Sequence, residues 1–233
     1  MIVNDDETIF VYKLVADNGG APCVYGEKLS LCICKPRIRK SAVKNDWIVG
    51  FGGKSVPDLC NRLIYIAQVT EKLSDGEYYK NSKYAQRPDC IYQWNEYEKN
   101  YDLKKGAIFH ADGDCLDHDI GVYPNYDRAF SLISNKFVYL GDTLTYDYKD
   151  LFKTVTPIYE SLPRDFVKNI TDDERRILVK FIEEIINKFG YGKRGTPTHA
   201  DTTKKCNTSE GIIQESTIGT NNVIKSNSHQ SRC

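Results

Sequence analysis

Cys34 stands directly before Lys35-Pro36-Arg37-Ile38-Arg39, a thiol two residues ahead of a proline and next to three cations. Proline suits the first position of a helix, so Cys34 falls where a strand, Leu29 to Cys34, feeds a short helix. Orphan N–H groups of a first helical turn attract anions, and Lys35, Arg37 and Arg39 would surround them. A phosphate or carboxylate could bind there. The same field favours the Cys34 thiolate and makes that side chain a candidate nucleophile. The alternative is a buried strand cysteine followed by a solvated basic helix.

A second chemical cluster runs from His110 to Asp119, His-Ala-Asp-Gly-Asp-Cys-Leu-Asp-His-Asp, with two histidines, four carboxylates and a cysteine. Its spacing fits no standard metal site: it lacks the EF-hand pattern with its terminal Glu and the His-x-x-x-His pair. It is therefore expected to be a solvated acidic turn, with no metal assigned. A third runs from Leu73 to Asn100, where Tyr78, Tyr79, Tyr84, Tyr92, Trp94 and Tyr97 surround Arg87-Pro88-Asp89. These rings can stack on a nucleobase, or cover a sheet edge with their polar tips wet.

The elements that must position these groups follow from periodicity. Thr8 to Val15 is a strand, and Asp17-Asn18-Gly19-Gly20-Ala21-Pro22-Cys23 a loop whose glycines allow close backbone approach. Asn45-Asp46 turns the chain from the basic helix into a strand over Trp47 to Phe51. Val56 to Asn61 reads as a helical turn, and Arg62 to Glu71 as a central strand buried on both faces. Gly106 to His110 reads as a strand, Tyr126 to Ser134 as a short helix, and Phe137 to Gly141 as a strand. A helix over Tyr146 to Tyr159 precedes a stronger one, in which Thr171 and Glu174 form a capping box and Gly190 closes an Ile/Leu/Phe stripe. That stripe packs on the sheet or serves as a homodimer interface over 171–189. From Lys193 onward the composition is polar and predicts disorder.

Composition sets outer limits. The 233 residues carry 32 Lys plus Arg and 32 Asp plus Glu, so no net field draws the chain to a polyanion and any nucleic-acid contact must be local. The acidic N-terminus lacks an apolar signal region, and no run spans a bilayer, which predicts a cytoplasmic protein without a membrane partner. The eight cysteines are then reduced thiols. No P-loop, Rossmann fingerprint or methyl-donor motif names a cofactor.

In order, Asp17-Asn-Gly-Gly-Ala-Pro22, Leu29-Ser-Leu-Cys-Ile-Cys-Lys-Pro-Arg-Ile-Arg39, Asp46-Trp-Ile-Val-Gly-Phe-Gly52, Tyr65-Ile-Ala-Gln-Val-Thr-Glu71, Arg87-Pro-Asp89 and Leu132-Ile-Ser-Asn-Lys-Phe-Val-Tyr-Leu-Gly141 resemble the nucleotide modification associated domain family, in its second type. The resemblance covers roughly Ile9 to Asp142. It implies a part in making or handling modified nucleic-acid bases, often in phage and bacterial mobile-element settings. The strand, helix, Asp-Trp-Ile-Val-Gly, strand pattern also resembles PUA-like and EVE domains, small β-barrels that hold a modified base in an aromatic pocket.

The expected architecture is thus α+β: a PUA-like mixed β-barrel or strongly curved sheet with flanking helices over 1–142, a helical extension over 143–192 ending in an amphipathic helix, and a disordered tail over 193–233. Two functions remain open. In the first, an enzyme of nucleotide or DNA-base modification uses Cys34, or a carboxylate of Asp17, Asp89 or Asp114, for nucleophilic or proton chemistry. Lys35, Arg37 and Arg39 then hold phosphate, while Trp47 or Tyr92, with Arg87, stack on the base. In the second, a reader binds a modified base without chemistry. A protein-interaction module using the C-terminal helix is the plainer alternative.

Overall fold

The computed structural model describes residues 2–53, 62–111, 115–143, 149–161, 166–167 and 170–198. The expected helical turn over Val56 to Asn61 and the candidate Asp114 lie outside these residues. The strands are β1 (Ile9–Leu14), β2 (Cys23–Tyr25), β3 (Lys28–Leu31), β4 (Trp47–Gly52), β5 (Leu63–Gln68), β6 (Glu71–Leu73), β7 (Tyr92–Asn95), β8 (Asn100–Leu103), β9 (Ser131–Ser134), β10 (Lys136–Tyr139), β11 (Phe166–Val167) and β12 (Gly192–Lys193). The helices are α1 (Pro36–Ser41), α2 (Glu77–Lys80), α3 (Leu116–Ile120), α4 (Lys149–Ser161) and α5 (Asp172–Phe189).

Alternation along the strands, interrupted by a register shift between Gly50 and Phe51 opposite β5, sorts the apolar side chains onto two faces. In the six-stranded sheet, ordered β11-β1-β4-β5-β10-β12, Ile9, Val11, Trp47, Val49, Ile66 and Val138 point outward and pack on Leu178, Phe181, Ile182 and Ile185 of α5. Phe10, Tyr12, Ile48, Ala67, Phe137 and Tyr139 point the other way and meet Leu29, Leu31 and Leu132 of the second sheet, ordered β2-β3-β9-β6. Ile133 of that second sheet, with Cys32 and Ile33 just past the end of β3, turns outward beneath Tyr78, Tyr79, Tyr84 and Tyr92. Four layers result: helices, sheet, sheet, and an aromatic cover that includes the β7-β8 hairpin. The chain crosses between sheets where β5 runs on into β6 and β9 into β10. Neither ladder closes on itself among the described residues, so curved, cornered sheets stand where a barrel was one expected form.

Several local expectations change. Gly106 to His110 forms bends, not a strand, because Phe109 and His110 turn inward as single buried side chains. Tyr126 to Ser134 is not a helix: irregular chain leads into β9, which is fixed by pairing with both β3 and β6. The stretch from Lys193 to Thr198 lies against the sheet edge, with Lys193 opposite Tyr139 and the Asp142 N–H donating 2.8 Å to the Thr196 carbonyl. Edge pairing uses the backbone, which a polar composition does not reveal. The capping box of α5 is present, and its apolar stripe is covered by the chain's own sheet. Among the described residues no helix is long and apolar enough to cross a membrane.

Candidate active site

Three residues after β3 the chain must reverse from strand into α1 within a very short turn. Cys34 and Lys35 do this with φ of 55° and 43°, left-handed conformations unusual for non-glycine residues, and Pro36 then opens the helix. Each such residue costs on the order of 1 kcal/mol or more, which the surrounding contacts must offset. His110, with φ of 50°, is a third. All three meet at one place.

The Cys34 Sγ lies 3.5 Å from His110 Nε2, and His110 Nδ1 lies 2.6 Å from Asp119 Oδ2. Asp119 sits on α3 and is fully buried. Its carboxylate also accepts the Cys34 N–H at 2.6 Å and the Tyr92 hydroxyl at 2.7 Å, so thiol, imidazole and carboxylate are held in one fixed line. Burial opposes a charge on His110, but its hydrogen bonds to Asp119 and Cys34, together with their charges, push the ring up to about 11. An imidazolium beside the sulfur favours the thiolate, the reactive form of cysteine.

Arg39 braces this line from below. Its Nε donates 2.6 Å to the Cys34 carbonyl, Nη2 donates 2.6 Å to the Asp119 carbonyl, and Nη1 donates to the carbonyls of Arg128 and Phe130 at 2.9 and 2.6 Å. The guanidinium is fully buried and ties the strand-to-helix turn, α3 and the approach to β9 together. Above the thiol opens a cleft of about 380 Å³, open solvent at its mouth included, with Tyr12, Leu14, Asn18, Ile33, Lys35 and Phe109 among its walls. The loop glycines shape it: a Cβ on Gly20 would come within 2.9 Å of the Phe109 ring.

The other candidates are spread through the fold. Arg37 is exposed on α1. Trp47 is buried on the far face of the six-stranded sheet, donating Nε1–H to Glu7 at 2.8 Å, and has no access to the cleft. Asp89 is buried 3.5 Å from Arg87, accepts from Tyr78 at 2.6 Å and from Ser30, and so ties the β2-β3 hairpin to the aromatic cover. Arg87 donates onward to the carbonyls of Tyr25 and Cys23. Tyr92 is buried and reaches the site through its hydroxyl, not its ring face.

Asp17 lies under the six-stranded sheet's inner face, where Tyr139 donates 2.7 Å to Oδ1 and Oδ2 has no hydrogen-bond partner. Burial raises its carboxyl from 3.8 to about 6, against the opposing Tyr139 bond. Because the folded value lies above the unfolded one, the protonated form stabilises the fold below about 3.8, and that contribution disappears as pH rises through about 6. Asp17→Asn should therefore raise the melting temperature at pH 8, by up to about 3 kcal/mol of stability, and show little difference at pH 4. A gap that does not change with pH would remove this role.

The pairing of His110 with Asp119 was not read from sequence, where both belonged to an acidic loop. The available signal was a cysteine accompanied elsewhere by His and Asp, but eight cysteines dilute it. Donor atoms of Cys34, His110 and Asp119 lie within 4.8 Å of one another, so these three could also hold a cation. Sulfur and carboxylate, however, address opposite nitrogens of the ring, which suits a proton relay better than ligands converging on one ion. A family model described as nucleotide modification associated domain 2 matches residues 6–205. No curated protein and no solved structure matches the chain.

Proposed function

This chain belongs to the nucleotide modification associated domain 2 family, and on that premise we propose that it is a thiol-dependent enzyme of nucleotide or DNA-base modification. The observation that carries this reading is the line from Cys34 through His110 to Asp119. Cys34 attacks an electrophilic carbon, forming a carbon–sulfur bond. The bond from that carbon to the leaving group breaks as His110 gives it a proton; an acceptor oxygen or nitrogen then bonds to the same carbon, passes its proton to His110 and releases the Cys34 thiolate, while Asp119 holds the ring in orientation. Tyr92 and Arg39 hold Asp119 and the Cys34 turn in place. The nucleotide, or a base extruded from a nucleic-acid strand, approaches the cleft from the side of the exposed Val15, with the buried Tyr12 and Phe109 in its wall.

The test is mass spectrometry of nucleosides from DNA and RNA of cells producing the native chain, Cys34→Ser or His110→Ala. A nucleoside present with the native chain and absent with both variants is the expected result. Modified-oligonucleotide binding that survives both substitutions, with identical nucleoside profiles, would favour a reader instead.

A further inference from the structure

Asn18 and Ala21 bring the loop after β1 into the wall of the cleft. The loop is held on both sides of Asn18. Tyr139 donates 2.7 Å to the Asp17 carboxylate, Thr198 donates 3.3 Å to the Asp17 carbonyl, and the Gly20 N–H donates 3.0 Å to Asn18 Oδ1. That last bond settles which way the amide faces, since only its oxygen can accept. Oδ1 is turned to the backbone and the Nδ2 hydrogens point away from it. Asn18 is only 8% exposed, yet Nδ2 is neither hydrogen-bonded among the described residues nor sealed from solvent, so it opens on the cleft that Asn18 lines. Gly20 permits this approach: a Cβ there would come within 3.2 Å of Oδ1 as well as meeting the ring of Phe109, the neighbour of His110.

Cys34 lines the same cleft. When a thiolate adds to a carbonyl carbon, negative charge passes to the oxygen, and a donor already fixed in place stabilises it most. The nucleophile's own N–H is committed to Asp119 at 2.6 Å, and the Tyr12 hydroxyl is shared with Tyr65 at 2.9 Å. Lys35 and the charged His110 favour negative charge in the cleft, but His110 Nε2 faces the sulfur and Lys35 Nζ stands over the Tyr12 ring, so placing the oxygen falls to the amide. Resting on the nucleophile reading above, we propose that Asn18 is a further catalytic residue, whose Nδ2–H donates to the oxygen of an ester or amide carbonyl attacked by Cys34. The sulfur bonds to the carbonyl carbon and the C=O electron pair moves onto the oxygen held by Asn18. As the carbonyl re-forms, the bond to the leaving group breaks and that group takes the His110 proton. An amine or hydroxyl of the nucleotide then attacks the thioester through a second such oxyanion, gives its proton to His110 and releases the thiolate. The reaction is acyl transfer and needs no redox partner.

Two small neutral reagents, with the Cys34 adduct read by peptide mass spectrometry, test this without knowledge of the natural substrate. p-Nitrophenyl acetate acylates the thiol through an oxyanion, whereas 2,2′-dipyridyl disulfide reports the thiolate alone and forms none. Asn18→Ser keeps a hydroxyl that can accept the Gly20 N–H but removes the amide donor. Asn18→Asp keeps the acceptor and puts an oxygen where the amide hydrogens stood. In both variants the ratio of acylation rate to disulfide-exchange rate should fall about 10²–10³-fold, the usual effect of removing one oxyanion donor. A ratio unchanged from the native chain, whether both rates hold or both fall together, overturns the proposal and leaves Asn18 a loop residue. Failure of the nucleophile reading looks different: native Cys34 would react with both reagents no faster than a peptide thiol, and the role of Asn18 would fall with it.

Discussion

His110→Ala should lower turnover at Cys34 by about 10²–10⁴-fold, the usual contribution of a positioned acid–base group. The ring is charged across the neutral range because its value is pushed up to about 11. With the imidazolium present, Cys34 alkylation by iodoacetamide should be nearly independent of pH between 7 and 9. Without it the thiol reverts toward an ordinary value near 8.5, and the rate should climb about tenfold per unit below that value. At pH 7 the loss in thiolate fraction is partly offset by the greater nucleophilicity of a more basic thiolate, so the alkylation constant should drop about tenfold. Stopped-flow or quenched alkylation over a pH series reads both effects. A native profile already rising with pH as for a free thiol would remove the ion pair.

The same substitution has a stability signature of known sign. His110 is raised in the folded state, so its contribution is fully present below about 6.5 and declines from there until it is lost as pH rises through about 11. The native chain should therefore be more stable than His110→Ala throughout pH 5–9, with the gap closing in strong alkali.

Arg39→Met should destabilise the protein by about 3–5 kcal/mol, measured by urea unfolding. Four carbonyls, those of Cys34, Asp119, Arg128 and Phe130, would lose their donor at once, and each unsatisfied buried acceptor is costly. Arg39→Lys should recover only part of this, because a single ammonium cannot span acceptors that a planar fork reaches from three nitrogens. Activity should fall with stability, since Arg39 fixes the carbonyls of both Cys34 and Asp119. Were Arg39 a solvent-facing phosphate ligand, as its place among basic residues first implies, the substitution would change stability by no more than about 0.5 kcal/mol.

These two residues mark where sequence reading succeeds and where it stops. Local rules recover what depends on neighbours along the chain. Proline at the first turn of α1, the β-branched, aromatic and apolar runs of β1, β4 and β10, the Thr171 to Glu174 capping box and the α5 stripe are all legible, because each is decided within a few residues. The junction between strand and helix singled out Cys34 for the same reason. Motif order along Ile9 to Asp142 also identified the family that the match over 6–205 assigns.

Partnership across the chain is another matter. His110 and Asp119 stand 76 and 85 residues from Cys34, and nothing in a loop of four carboxylates says which one turns inward. Only the packing of α3 against the strand-to-helix turn selects Asp119. Arg37 and Arg39 are two residues apart and look alike, yet on a helix that offset carries one outward to solvent and the other beneath the site. Trp47 and Tyr92, similar as aromatic residues, end on opposite sides of the two-sheet core. Side-chain type and spacing therefore determined most of the elements and singled out Cys34 as a candidate nucleophile. The tertiary fold decided which imidazole, carboxylate and guanidinium meet it, because those contacts join segments whose separation along the chain carries no periodic signal.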